Sequence, residues 1–348
     1  MKTYRAAIIG LGRMGSTIDA EVVDYPPFIL PYSIAGACKA IPRIDLVAGA
    51  DILPEKRKAF GEKWGVQALY GDYLEMLEKE KPDLVAICTK GELHAPMTVR
   101  VAQAGVPMIF CEKAMACSLA EADQARDAVR KAGSRFLTGV LRRWHSRYQD
   151  ARRRIAAGDI GKPVAAVHFA HTNLLHGHVH SIDTLLYLLG DPKAISVWGE
   201  LRPRDLRFEN GRLGKDPDAV FNLELEGGLE ASTVPVGGWD FEVLGTEGAV
   251  RVANNGTHVF VRKKLPYSAR FQPAMDVLAP PPPGEKSATV RMLEDLLDAH
   301  EQGRPTLGDI DVTHHVTEIL FAIAECHRLG VPRITLPIAQ RDVYIFHV

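Results

Sequence analysis

Over the first 140 residues, short, largely apolar runs alternate with longer segments whose apolar positions recur every three to four residues. The short runs, at 6–9, 44–50, 83–88, 107–111 and 134–140, predict strands buried on both faces. The intervening segments at 54–64, 73–79, 94–104 and 118–131 predict amphipathic helices. Strand and helix in strict alternation mean a parallel sheet covered on both sides, and such sheets bind ligands beyond the carboxyl ends of their strands. After residue 140 the period changes. A helix over 146–157 is followed by strands at 164–172, 194–201, 219–225, 230–235, 240–245, 249–253 and 258–262, alternating in polarity and punctuated by turns. That pattern predicts an open, largely antiparallel sheet in an α+β domain. The prolines at 280–283 form a stiff connector, and helices at 287–302 and 311–329 close against one of the domains.

The first strand runs directly into Gly10-Leu11-Gly12-Arg13-Met14-Gly15. A G-x-G-x-x-G turn after a strand is the phosphate cradle of a dinucleotide-binding unit: a tight turn at Gly10, close backbone approach at Gly12, close helix packing at Gly15, with the backbone of Arg13 and Met14 between them. The second strand ends on Asp51, an acid placed for a ribose diol. The fold class is therefore a doubly wound Rossmann domain over 1–140, followed by the α+β domain over 141–348. A carboxylate accepts from ribose hydroxyls and repels a 2′-phosphate, so NAD is favoured over NADP. Lys56 and Arg57, a turn into the next helix, lie beyond the reach of a phosphate clamp. Gly15 and Asp51 are 36 residues apart, where about 20 is typical. An insertion over 16–32, rich in proline, accounts for the excess. Phe28 and Tyr32 either overhang the cofactor or pack within a surface loop.

At 348 residues the chain exceeds a single core, in keeping with two domains. Its formal net charge of −1 leaves no footprint for nucleic acid or an anionic membrane, and Arg152-Arg153-Arg154 reads as a solvated helix face. No apolar run approaches bilayer length and no secretory signal precedes the first strand. The five cysteines are odd in number and without metal-type spacing, as expected of free thiols in the cytoplasm.

A second constellation joins Glu112-Lys113, at the end of the fourth strand of the alternating series, to His176, His180 and Asp183. The last three recur at i, i+4, i+7 and share one helical face. A lysine and histidines at such a mouth supply the proton acceptor and hydroxyl-binding donors that oxidation of an alcohol needs. His168, His171, His176, His178 and His180 invite a metal hypothesis, but His168 and His171 point to opposite faces of their strand, so the expectation is no metal. Asp183 is either catalytic or a helix cap.

These motifs resemble the family of glucose-fructose oxidoreductase, inositol dehydrogenase and the rhizopine-catabolism oxidoreductases (Gfo/Idh/MocA) over essentially the whole chain. The resemblance implies a Rossmann domain and a second domain whose sheet serves substrate binding and assembly as a homodimer or homotetramer. The family's E-K-P motif is matched by Glu112-Lys113 with Ala114 in place of proline, and its D-x-G-x-H-x-x-D segment by His180 and Asp183, with His176 and His178 replacing Asp and Gly. Its Thr-Pro-Asn turn is matched at Thr89 only, Lys90 and Gly91 following, with His94 retained. By resemblance Lys113, His180, His176 and Asp183 are catalytic; Thr89, His94, Glu112 and Lys113 join the cofactor site; and Arg143 and Trp144, with Lys113 and the two histidines, contact substrate. Ala114 is expected to make a cis peptide improbable, since a non-proline cis bond costs about 2.5–4 kcal/mol.

The resemblance implies an NAD-dependent oxidoreductase acting on a secondary hydroxyl, or the corresponding ketone, of a sugar, sugar derivative or cyclitol. Two alternatives stand beside it: a glycosidase that oxidises its substrate transiently with bound NAD, and a non-catalytic NAD-binding sensor. Arg142, Arg143 and Arg147 either favour an anionic sugar or begin a solvated helix.

Overall fold

A computed structural model describes residues 2–264 and 274–347. By their internal contacts, Met1–Leu141, Lys286–Thr317 and Phe346–Val348 form one compact unit, and Arg142–Glu285 with Glu318–Ile345 form another.

In the first unit the chain runs β1 (Tyr4–Ile9), α1 (Ile34–Ala40), β2 (Ile44–Ala50), α2 (Pro54–Trp64), β3 (Ala68–Tyr70) and α3 (Tyr73–Glu80). It continues through β4 (Leu84–Ile87), α4 (His94–Gln103), β5 (Met108–Cys111), α5 (Leu119–Ala132) and β6 (Arg135–Thr138). The six strands are all parallel, in the order β3-β2-β1-β4-β5-β6. The order reverses between β1 and β4, which is where such sheets open a ligand crevice. All four residues of β4 and of β5 are buried, as their unbroken apolar sequence requires. Local caps set the helix starts: the side chains of Ser33, Asp72 and Ser118 accept from backbone N–H groups of the first turns of α1, α3 and α5.

The crossover helix starts at Ile34, capped by Ser33, directly after the insertion expected over 16–32. A π-helical turn, Arg13–Thr17, overlaps the last glycine of the motif and a 3-10 turn, Ile18–Glu21, follows it. The excursion is pinned by Asp19, whose carboxylate accepts from Tyr32 N (2.6 Å), Ser33 N (2.8 Å) and Ser33 Oγ (2.5 Å). Its aromatic side chains pack on one another, Phe28 on Tyr32 at 4.3 Å and Tyr25 on Phe28 at 4.8 Å. The three-residue β3 lies below the length at which an apolar pattern is legible.

The second unit holds α6 (Ser146–Ala156), β7 (Pro163–Phe169), α7 (His178–Leu189), β8 (Ala194–Arg202), β9 (Arg212–Leu213), β10 (Asp218–Leu225) and β11 (Leu229–Val234). Then come β12 (Asp240–Gly245), β13 (Gly248–Ala253), β14 (His258–Lys264) and β15 (Ala274–Leu278). Helix α8 (Ala288–Gln302) belongs to the first unit, where it packs on α1, β5 and β6; α9 (Ile310–Leu329), β16 (Ile334–Thr335) and β17 (Tyr344–Ile345) follow. Nine strands make one sheet, β15-β14-β13-β12-β7-β11-β10-β8-β16, antiparallel except at β7–β11. Strand β7 ends at Phe169, short of the expected residue 172, because the chain leaves the sheet once Ala170 N has bonded Val234 O.

Candidate active site

Each glycine of the opening turn meets a different demand. Gly10 has φ +90°, and a Cβ there would stand 2.5 Å from the Cys88 carbonyl oxygen; one at Gly15 would overlap the Gly10 carbonyl. At Gly12 the same construction meets nothing closer than Lys56 Nζ, at 3.6 Å. The first and third glycines are thus fixed by packing, whereas the second keeps a face open, as a cradle for a dinucleotide's phosphates requires. Asp51 carries the edge onward: its Oδ2 accepts from Leu11 N at 2.9 Å and its Oδ1 from Leu53 N at 3.0 Å. Lys56, in the first turn of α2, reaches back to within 4.0 Å of that carboxylate. Arg57 is spent on the carbonyls of Asp51 and Ile52, Arg13 points outward to Glu21, and Met14 is half-buried.

Farther along the same edge, β5 ends in Glu112 and Lys113. Glu112 is 7 % exposed, and its carboxylate lies against Gly139, where a Cβ would come within 2.8 Å of both oxygens. Burial pushes it up to about 7, against the opposing pull of Lys113. The folded protein thus favours the protonated form, and Glu112 costs stability progressively as pH rises from the ordinary carboxylate range through about 7. Glu112→Gln is expected to gain melting temperature over the parent at pH 8 relative to pH 5, by the equivalent of at most about 3 kcal/mol. An equal difference at both pH values would mean that the carboxyl ionises normally.

Lys113 is half-buried, and its peptide bond to Ala114 is cis, contrary to expectation. The surroundings enclose that peptide. Ala114 is fully buried, and its carbonyl oxygen accepts from His94 Nδ1 at 2.7 Å. His94 Nε2 faces the Thr89 carbonyl at 3.1 Å. Two carbonyls would favour an imidazolium, but burial pushes His94 down and Lys113 adds to it, so the ring is neutral and donates through the shorter contact. Thr89 itself is half-buried, with its Oγ1 on Met97 Sδ at 3.6 Å.

In the second unit the expected helical face is only partly realised. Helix α7 begins at His178, so His176 precedes it, exposed, with its backbone N–H on Asp216 Oδ2 at 2.7 Å and that of Leu175 on Oδ1 at 2.8 Å. Asp216 thereby holds these residues out of the helix. His180, half-buried, presents its ring edge to Trp239 at 6.4 Å, and Trp239, at φ +62°, lies under the Arg142 guanidinium at 5.0 Å. Arg142 donates to Tyr148 Oη (3.3 Å) and Asn255 Oδ1 (2.5 Å).

Asp183 caps no helix. It is buried within α7, and its Oδ1 accepts from Arg143 Nε at 2.7 Å. Arg143, 1 % exposed, also reaches Asp191 at 2.7 Å, and Trp144 is equally buried. Burial pushes Asp183 up to about 6 while Arg143 holds it down, so the pair is ionised at neutral pH. Arg143 and Trp144 are therefore interior groups, and two carboxylates occupy the guanidinium. Of the remaining histidines, His168 stacks on Phe241 at 4.3 Å and is pushed down to about 2 by burial, and His178 is held by the Ala219 carbonyl at 2.8 Å. His171, exposed, pairs with Asp218 at 3.1 Å.

With this geometry in hand, a family model described as an oxidoreductase family with an NAD-binding Rossmann fold matches residues 4–140. Scyllo-inositol 2-dehydrogenase (NAD(+)) of Bacillus subtilis (strain 168) is 28 % identical over 350 residues, covering 94 % of this chain and 95 % of its own. Residues 4–140 thus match the Gfo/Idh/MocA oxidoreductase family, and the chain as a whole is similar to inositol dehydrogenases. Another relative, myo-inositol 2-dehydrogenase of Thermotoga maritima, is 26 % identical over 72 % of this chain and 75 % of its own. The fold is shared with aldose-aldose oxidoreductase of Caulobacter crescentus, whose crystal structure superposes with a TM-score of 0.78 at 21 % identity, over 96 % of this chain and all of that one.

Sequence reasoning missed Trp239, beside His180, and Asp216, bonded to the backbone at His176. Trp239 had a signal in the Gly237-Gly238 turn before it; Asp216 had none, since its partners lie 40 and 41 residues away.

Proposed function

We propose that this chain is an NAD-dependent dehydrogenase acting on a secondary hydroxyl of a cyclitol or sugar, or reversibly on the corresponding ketone. The observation that carries the reading is the edge of the parallel sheet, which gathers an open glycine cradle, an acid at the ribose position and a half-buried lysine. When bound, the nicotinamide supplies the hydride acceptor or donor. Lys113 orients and polarises the reacting oxygen, His180 exchanges its proton, and His176, exposed beside it in sequence, contacts substrate hydroxyls. Asp183 acts through Arg143 on the framework of α7. Asp51 supports NAD, and Lys56 beside it tempers the repulsion of a 2′-phosphate without removing it. Assembly as a homodimer or homotetramer through the second unit's sheet is supported by partly exposed Val164, Ile195 and Trp198 on its strands. Among the described residues no helix is long and apolar enough to cross a membrane, and all five cysteines are free; both accord with a cytoplasmic enzyme.

The test is stoichiometric. Mixing the protein with NAD or NADP and a panel of inositols, free sugars and glycosides is expected to give steady nicotinamide reduction, one per product, with at least one cyclitol or sugar and faster with NAD. Release of aglycone without accumulating NADH, and with solvent deuterium entering the substrate, would instead identify a redox-assisted glycosidase. Binding of NAD without turnover on any member of the panel would indicate a sensor.

A further inference from the structure

His347 lies 234 residues from Lys113 in sequence, yet both belong to the first unit. Its ring is 3 % exposed and fills the space beside Gly91, where a Cβ would overlap Cδ2 and come within 2.9 Å of Cγ. From there His347 Nε2 donates to the Lys113 carbonyl at 3.4 Å. The next carbonyl, that of Ala114, is held by His94 at 2.7 Å. Two successive carbonyls at the root of the lysine side chain are thus each met by an imidazole.

This arrangement links two departures from the family pattern. At 114 an alanine replaces the proline whose ring would fix φ, leaving the backbone to be restrained from outside. At 91 a glycine replaces asparagine, which leaves room for an imidazole. The imidazole comes from residue 347. We propose that His347 is a positioning residue for Lys113, holding the backbone from which the lysine reaches the reacting oxygen; this rests on the role assigned to Lys113 above. A lysine has four flexible methylenes, so a loosened root widens the set of positions its ammonium samples, and a misplacement of about 1 Å in a reacting geometry costs on the order of 100-fold. The 3.4 Å contact is long for a hydrogen bond, and the expected loss is correspondingly smaller.

The experiment uses the full chain with NAD and the most active cyclitol of the panel. His347→Ala, and independently Gly91→Ala, whose methyl displaces the ring, are expected to lower kcat about tenfold while the Kd for NAD stays within about twofold. His347→Gln carries an amide N–H toward the same carbonyl and is expected to recover kcat to within about threefold of the parent. A readout without turnover accompanies these. After reductive 13C-methylation, the Lys113 resonance of the protein without cofactor, assigned by its loss in Lys113→Met, is expected to shift in His347→Ala and return in His347→Gln. Unchanged kcat and an unmoved resonance would overturn the proposal, as would loss of NAD affinity in step with kcat. Should His347→Ala not fold, Gly91→Ala and His347→Gln carry the same decision. If Lys113→Met keeps its turnover, the reading of Lys113 itself fails; if Lys113→Met is inactive while His347→Ala is not, only the present proposal does.

Discussion

Lys113→Met is expected to lower kcat by roughly three orders of magnitude while leaving the Kd for NAD within about twofold, as for an interaction made with the reacting oxygen rather than with the cofactor. Methionine preserves the length and most of the apolar stem of lysine but carries neither charge nor donor, so the change isolates the ammonium. The adjoining Glu112 is buried and pushed up to about 7, so near pH 7 its charge offsets that of the lysine only in part. Stopped-flow reduction of NAD with a cyclitol substrate reads kcat, and fluorescence titration reads Kd. A variant retaining most of its turnover would remove Lys113 from the mechanism.

Asp183→Ala is expected to destabilise the fold by about 3 kcal/mol, at the lower end of what breaking a buried ion pair costs. The Arg143 side chain is 1 % exposed and that of Asp183 3 %; removing the carboxylate leaves the guanidinium with Asp191, which is 31 % exposed. That remaining partner is why the upper end of the range is not reached. Replacing both partners by apolar residues, as in Asp183→Leu with Arg143→Met, should recover much of the loss, since the burden is the unpaired buried charge and not the absence of the pair. Urea unfolding of the singles and the double measures all three. Unaltered stability in Asp183→Ala together with a collapse of kcat would return Asp183 to direct catalysis.

These two residues show what chain-local information can and cannot carry. Lys113 was legible because a strand end, a neighbouring acid and the glycine turn are features of a few residues each. Asp183 was legible as an important acid but misread as to partner: helical spacing aligned it with His176 and His180, whereas the start of α7 at His178 leaves His176 outside the helix and the carboxylate turns inward to Arg143. Spacing assumes that the helix already exists at the residue counted from. The Asp216 carboxylate, bonded to the two N–H groups before Gly177, removes that assumption.

The sequence alone determined the helices and longer strands, the three glycine roles and the acid at the end of β2, because period, caps and turn chemistry act within a dozen residues. It also determined the class of each sheet, since unbroken apolar runs and alternating ones bury different numbers of faces. Tertiary structure alone decided the parallel pairing of β7 with β11 within an otherwise antiparallel nine-stranded sheet, and the membership of α8 in the first unit. It decided as well the reach of Lys56 to Asp51, the burial of Arg143 and Trp144, and the imidazole of His347 beside Lys113. Each of these depends on which side chains meet after the sheets have formed, often between residues a hundred or more positions apart, and no periodicity in the chain records such a meeting; it follows from packing and from the need of buried charges and carbonyls for partners.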